Sequence, residues 1–134
     1  MPADPQLTEP FIRAGCKIIL EPRARSNFDI GCVWRTYKLL KRLKCDVFHC
    51  HNVHTSPLIG AMLAGVPVRI WSKLAMSPYY EQQVEPEWWH RFAPSIRVSS
   101  LCAHRILSLS KAVRDEFVSQ GGSLSKSLIV PAPI

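Results

Sequence analysis

The chain has 134 residues, 47% of them hydrophobic and 20% charged, with a formal net charge of +7. That balance excludes a disordered polyelectrolyte and fits a single globular domain with a core of its own. The longest apolar run, residues 58–68, is broken by Gly60, Gly65 and Pro67 and falls short of the roughly 20 residues that a spanning helix needs.

In chain order, "MPADPQLTEP" (1–10) reads as an irregular segment, since Pro2, Pro5 and Pro10 remove donors and constrain their neighbours. It has neither the basic nor the apolar region of a secretory leader, so the expected compartment is the cytoplasm. "FIRAG" resembles the last turn of a helix closed by Gly15. "CKIILE" (16–21) predicts a buried strand. In "FDIGCVWRTYKLLKRLK" (28–44), Ile30, Val33, Trp34, Tyr37, Leu40 and Leu43 recur at intervals of mostly three or four, predicting an amphipathic helix.

"DVFHC" (46–50) predicts the next strand. A helix in "SPLIGAMLAG" follows, with Ser56 as cap, Pro57 in the first helical position and Gly65 past the end. "VPVRIW" (66–71) predicts a third strand, "WSKLAMSPYY" (71–80) a long loop, and Pro86 opens a helix through "EWWHRF". "RILSLS" (105–110) predicts a fourth strand, Ser110 caps the helix "KAVRDEFVSQ", Gly121 and Gly122 end it, and "SLIVP" (127–131) is the last strand.

Strands alternating with helices predict an α/β fold: a Rossmann-like open parallel sheet with helices on both faces. The near-continuous apolar runs of the strands suit burial on both faces. Both ends read as interrupted, because a helix closes at Gly15 without a clear beginning and the chain stops just after a strand. The sequence is thus expected to be part of a longer protein.

Four phrases, in this order, carry a resemblance: "CDVFHCHN", "AMLAGVPVRI", "AHRILSLSKAVRDEF" and "SLIVPAPI". Together they resemble the N-terminal, acceptor-side domain of family 4 glycosyltransferases, which have GT-B architecture. The resemblance covers residues 11–134 and treats them as a partial domain. It implies a retaining transferase that moves a sugar from a nucleotide-sugar donor to a saccharide or lipid-linked acceptor. It further implies that the donor and the paired glutamates eight residues apart belong to a second domain. No such glutamate pair occurs in this sequence, so the chain alone is expected to be inactive. A histidine common after the family's third strand is replaced here by Ser72-Lys73, and a terminal Asn-Gly by Ala132-Pro133.

The densest chemistry lies in "CDVFHCHNVHTS" (45–56). His49 and His51 are two apart on an extended segment and so share a face, with Cys50 on the other. His51, Asn52 and His54 fall at or beyond the carboxyl end of the strand, where open α/β sheets bind ligands. The resemblance places this loop beside the cleft between the two domains, holding acceptor hydroxyls or phosphate. For His49, a buried side chain satisfied by backbone is the competing expectation.

A zinc site is disfavoured, since Cys45 and Cys50 point wrongly and no second ligand pair completes it. A Cys50–His51 nucleophile pair is disfavoured because adjacent strand residues face apart. Five cysteines, an odd number, read as reduced thiols. No metal and no cofactor is expected.

Ser72 and Lys73 on the long loop, and Ser110 at a helix N-terminus, are the further substrate-binding candidates. A solvated connection and an ordinary cap compete with those roles. Arg35, Lys38, Lys41, Arg42 and Lys44 form a cationic helix face, either simply solvated or in peripheral contact with the inner face of a membrane. The rival function is a small basic, non-enzymatic α/β module that binds nucleotide or nucleic acid. Scattered cations and the lack of a recognition motif argue against nucleic acid, and no Gly-x-Gly-x-x-Gly follows a strand to suggest a dinucleotide enzyme.

Overall fold

The computed structural model describes residues 5–51, 55–74 and 94–131. Its elements are α1 (Pro5–Arg13), α2 (Ile30–Leu43), β1 (Val47–His51), α3 (Thr55–Leu63), β2 (Val68–Lys73), α4 (Pro94–Cys102), β3 (Arg105–Ser108), α5 (Lys111–Ser119), a 3-10 turn (Leu124–Lys126) and β4 (Ser127–Ile129). The four strands are parallel and pair in the order β1-β2-β3-β4. This is a Rossmann-like α/β fold.

The register aligns Cys50 with Trp71, Trp71 with Ile106, and Ile106 with Ser127, so these residues share one face of the sheet. Leu58 of α3, Cys102 of α4 and Phe117 of α5 close over that face to form the main core. Trp71 meets Phe117 edge-on, with ring centroids 5.8 Å apart. Strands added in one direction through right-handed crossovers place their connecting helices on the same side. Accordingly α3, α4 and α5 form one layer. The opposite face of the sheet is turned away from this layer. Val47, Val68 and Leu128, which lie on that face by alternation, are exposed.

Helix α2 lies outside α3 and buries Cys32 and Leu40. Asp29 caps it, with its carboxylate accepting the Cys32 N–H at 3.1 Å, and Lys44 ends it in the left-handed conformation at φ 52°. Backbone N–H groups of Arg25 and Cys32 hold the Asp29 carboxyl below its usual range. Gly60 permits the close approach of α2 and α3: a Cβ there would lie 2.7 Å from Thr36 Cβ and 2.8 Å from the Val33 carbonyl.

Several expectations need correcting. Residues 5–13, expected to be irregular through residue 10, form α1 despite Pro10 within it. Pro5 occupies the first helical position, where a missing N–H costs nothing. Residues 16–21 form no strand. A strand exists through its ladder, and none of the described strands lies beside this segment, which leaves Ile18 and Leu20 exposed. Helix α4 is an element that the periodicity conceals, because "PSIRVSSLC" buries Ser99, Ser100 and Cys102 instead of large apolar groups. Thr55 Oγ1 and Ser99 Oγ, 3.0 Å apart, join α3 to α4 through this polar seam. The helix expected from Pro86 lies outside the described residues.

Candidate functional site at the carboxyl edge of the sheet

The carboxyl ends of β1, β2 and β3 bring His51, Lys73 and Ser108 to one edge of the sheet, with His51 in register with Ser72 and Lys73 in register with Ser108. Alternation then divides the edge into two chemically different sides.

On the side away from the helices, His49 and His51 stand with ring centroids 4.2 Å apart. Both are exposed, so His49 is not the buried side chain that the sequence left open. Its Nε2 lies 2.8 Å from the hydroxyl of buried Ser72, and either atom can donate. Desolvation of the ring, and then its histidine neighbour, hold the His49 imidazole below its ordinary range. It therefore tends to remain neutral, able both to donate and to accept. Cys50 points the opposite way, into the core, where its thiol donates to the Ile70 carbonyl at 3.7 Å. Burial pushes that thiol up to about 12, which removes it as a nucleophile.

On the helix side, Lys73 Nζ reaches Glu116 Oε2 of α5 at 3.2 Å, and both side chains are buried. Strand β2 thus runs through Ser72 and Lys73, which the sequence assigns to an exposed loop. The loop reading fails because Trp71 and Lys73 both face the helix layer, where the Lys73 ammonium finds a carboxylate. Ser108 is buried, and its Oγ has no hydrogen-bond partner among the described residues. Ser110 is exposed, and its hydroxyl accepts the Val113 N–H at 3.3 Å as the cap of α5. Asn52 and His54 lie outside the described residues.

The structure therefore unites His51 with Ser72 through His49, and it places Lys73 on the other side of the same edge. Glu116 and Ser108 escaped the sequence reading. The signal for Glu116 was a carboxylate on the stripe of α5 that also carries Val113 and Phe117, all three buried. Ser108 gave a weaker one, a hydroxyl inside the apolar run "RILSLS". Among the described residues, no group of three or more His, Cys, Asp or Glu side chains is placed to hold a metal ion. No described helix is long and apolar enough to cross a membrane.

Residues 2–134 match the profile of Glycosyltransferase Family 4. The chain belongs to this family. Glycosyltransferase Family 4 is a family of N-terminal GT-B domains, and membership indicates glycosyltransferase-type function in general. The parallel sheet is consistent with such a domain. No curated protein and no solved structure matches the chain.

Proposed function

We propose that this Family 4 domain forms the acceptor side of a retaining transferase that moves a sugar from a nucleotide-sugar to a saccharide or lipid-linked acceptor. One observation carries the reading: an exposed histidine pair, braced by Ser72, at the carboxyl edge of a parallel sheet in a Family 4 chain. Ligands of open α/β sheets bind at this edge. His51 presents its ring to the acceptor, and Asn52 and His54 extend the contact along the chain. Ser72 acts through His49, fixing the ring beside His51. Lys73 and Ser110 complete the polar edge, the first held by Glu116 and the second engaged in its cap.

In such a transferase, rate enhancement comes from positioning the acceptor and stabilising the leaving diphosphate. The groups on this chain serve the first task. The chain by itself then binds acceptor without turning over donor, in the cytoplasm or at the inner face of a membrane.

Saturation-transfer NMR of the 134-residue chain against a panel of saccharides and sugar phosphates tests the reading. Saturable binding that weakens about tenfold or more in His51→Ala, roughly the loss of one good hydrogen bond to a polar ligand, is expected. Equal binding by the variant removes His51 from the site. Absence of saccharide binding, together with heparin retention at moderate salt, supports the non-enzymatic nucleotide- or nucleic-acid-binding alternative instead.

A further inference from the structure

Strand β1 forms one rim of the sheet. Among the described strands only β2 pairs with it, in an unbroken register from Val47 to His51. The Asp46 carbonyl accepts the Val68 N–H, so by alternation the backbone N–H and C=O groups of Val47, His49 and His51 point outward. Such a rim is a template for another strand, and proteins commonly blunt it with lysine, proline or a bulge. "VFHCH" carries none of these, and Val47 is 55% exposed.

The same chain holds a segment of strand composition without a ladder. "CKIILE" (16–21) lies exposed between α1 and α2, and Ile18 and Leu20 are open to solvent, Leu20 by 60%. Two apart, these side chains share a face when the segment is extended. The turn that closes α1 fixes its beginning, where the Cys16 N–H donates to the Phe11 carbonyl at 2.9 Å. Beyond it, Ser56 fastens the chain from Asn27 to Asp29. Between these anchors Glu21 precedes Pro22, which biases Glu21 towards extended backbone and resists a tight fold-back.

We propose that two copies of this chain associate by exchanging residues 16–21, each segment adding a strand to the β1 rim of the other. The exchange pairs the outward groups of Val47, His49 and His51 and covers Ile18, Leu20 and Val47. It draws on a segment that already lies exposed, so little has to unfold in either copy. A two-fold arrangement closes after two copies and leaves neither β1 rim open. Each copy carries +7, so the partners repel and salt strengthens the association. The His49 and His51 side chains stand on the face of the sheet while the exchange uses their backbone. Failure of this proposal therefore leaves acceptor binding untouched.

Sedimentation velocity across a range of concentrations tests it on the whole chain. A monomer–dimer equilibrium is expected, shifted towards dimer as salt is raised, with slower amide exchange in β1 as dimer accumulates. Leu20→Lys spoils the incoming strand. Val47→Pro spoils the rim, because it removes an outward N–H and leaves the β1–β2 ladder its bonds. Each should weaken self-association about tenfold or more, the effect of keeping one large apolar side chain from burial. Mixed in equal amounts, the two variants should associate again, since the intact strand of one meets the intact rim of the other. Both positions are exposed, and circular dichroism checks that the variants remain folded. A chain that stays monomeric, variants that associate like the parent, or variants that mixing does not rescue would overturn the proposal. So would dimers that salt dissociates, since patches of opposite charge would then hold the copies together.

Discussion

The hydroxyl of Ser56 accepts the Asp29 N–H at 2.8 Å and donates to the Asn27 carbonyl at 2.8 Å, fastening the loop before α2 to the start of α3. Ser56 is fully buried, so its hydroxyl has no water to replace these partners. Ser56→Ala should destabilise the fold by about 1–2 kcal/mol, the net worth of the two hydrogen bonds lost. A shift in urea midpoint without a change in slope checks this, and an unchanged midpoint removes the fastening role.

Lys73 and Glu116 form a buried pair, and Gln120 also donates to the Glu116 carboxylate at 3.2 Å. Removing one partner strands the other charge. Lys73→Met is expected to cost about 3–5 kcal/mol, whereas Lys73→Met with Glu116→Leu should recover much of the loss. Additive single and double losses in a mutant cycle would show the pair to be uncoupled.

Gly60 sits where α2 and α3 come closest. Gly60→Ala must push Thr36 and the Val33 carbonyl aside, at a cost of about 1–3 kcal/mol. Far-UV circular dichroism during thermal unfolding reads this directly. A midpoint at or above the parent's would mean that the helices yield freely.

Thiol reactivity should separate the cysteines by burial. Cys16 is exposed, while Cys32, Cys50 and Cys102 are buried. Desolvation raises Cys102, and Cys50 to about 12. An aromatic disulfide reagent at neutral pH should therefore label Cys16 first, and Cys16→Ser should abolish the fast phase. Rapid labelling of Cys50 in the folded chain would contradict its inward orientation.

Acidification should weaken the fold in the histidine range. His104 Nδ1 accepts the Arg69 N–H at 3.1 Å, which requires that nitrogen to be unprotonated. Desolvation, followed by Arg69, Lys126 and Arg105, lowers its affinity for a proton, and His49 is lowered as well. A group whose pKa is depressed by folding binds protons more readily in the unfolded chain. The contribution is thus complete above the usual histidine value of about 6.5 and is lost as pH falls through the lower folded values. Asp29 and Asp115, also depressed, act only further down, in the carboxylate range. Urea midpoints should fall between about pH 7.5 and 5.5, less steeply in His104→Asn. A flat profile across that window would rule out both histidines as the origin.

Much of the fold was readable from apolar runs and punctuation. Strands β1 to β4, the span of α2 and the Ser110 cap appear close to where "DVFHC", "VPVRIW", "RILSLS" and "SLIVP" suggest. What escaped was whatever depends on neighbours. "CKIILE" has strand composition, yet it forms no ladder. "PSIRVSSLC" hides a helix because its buried face is serine and cysteine, whose polar atoms are satisfied across the seam with α3 and by Ser123. At the candidate site, period-2 alternation sufficed to put His49 and His51 on one face. It could not show that Ser72 braces His49, since that contact spans 23 residues and depends on the β1–β2 register.

The sheet order has a consequence for how the chain reaches this state. Each strand pairs with the one preceding it in sequence, so every strand–helix–strand unit can close before the next is needed. Loop closure then involves only short intervals of chain, which favours folding by stepwise accretion. The inner strands β2 and β3, paired on both sides, should retain their amide protons longest, and exchange should begin at the rims, in β1 and β4.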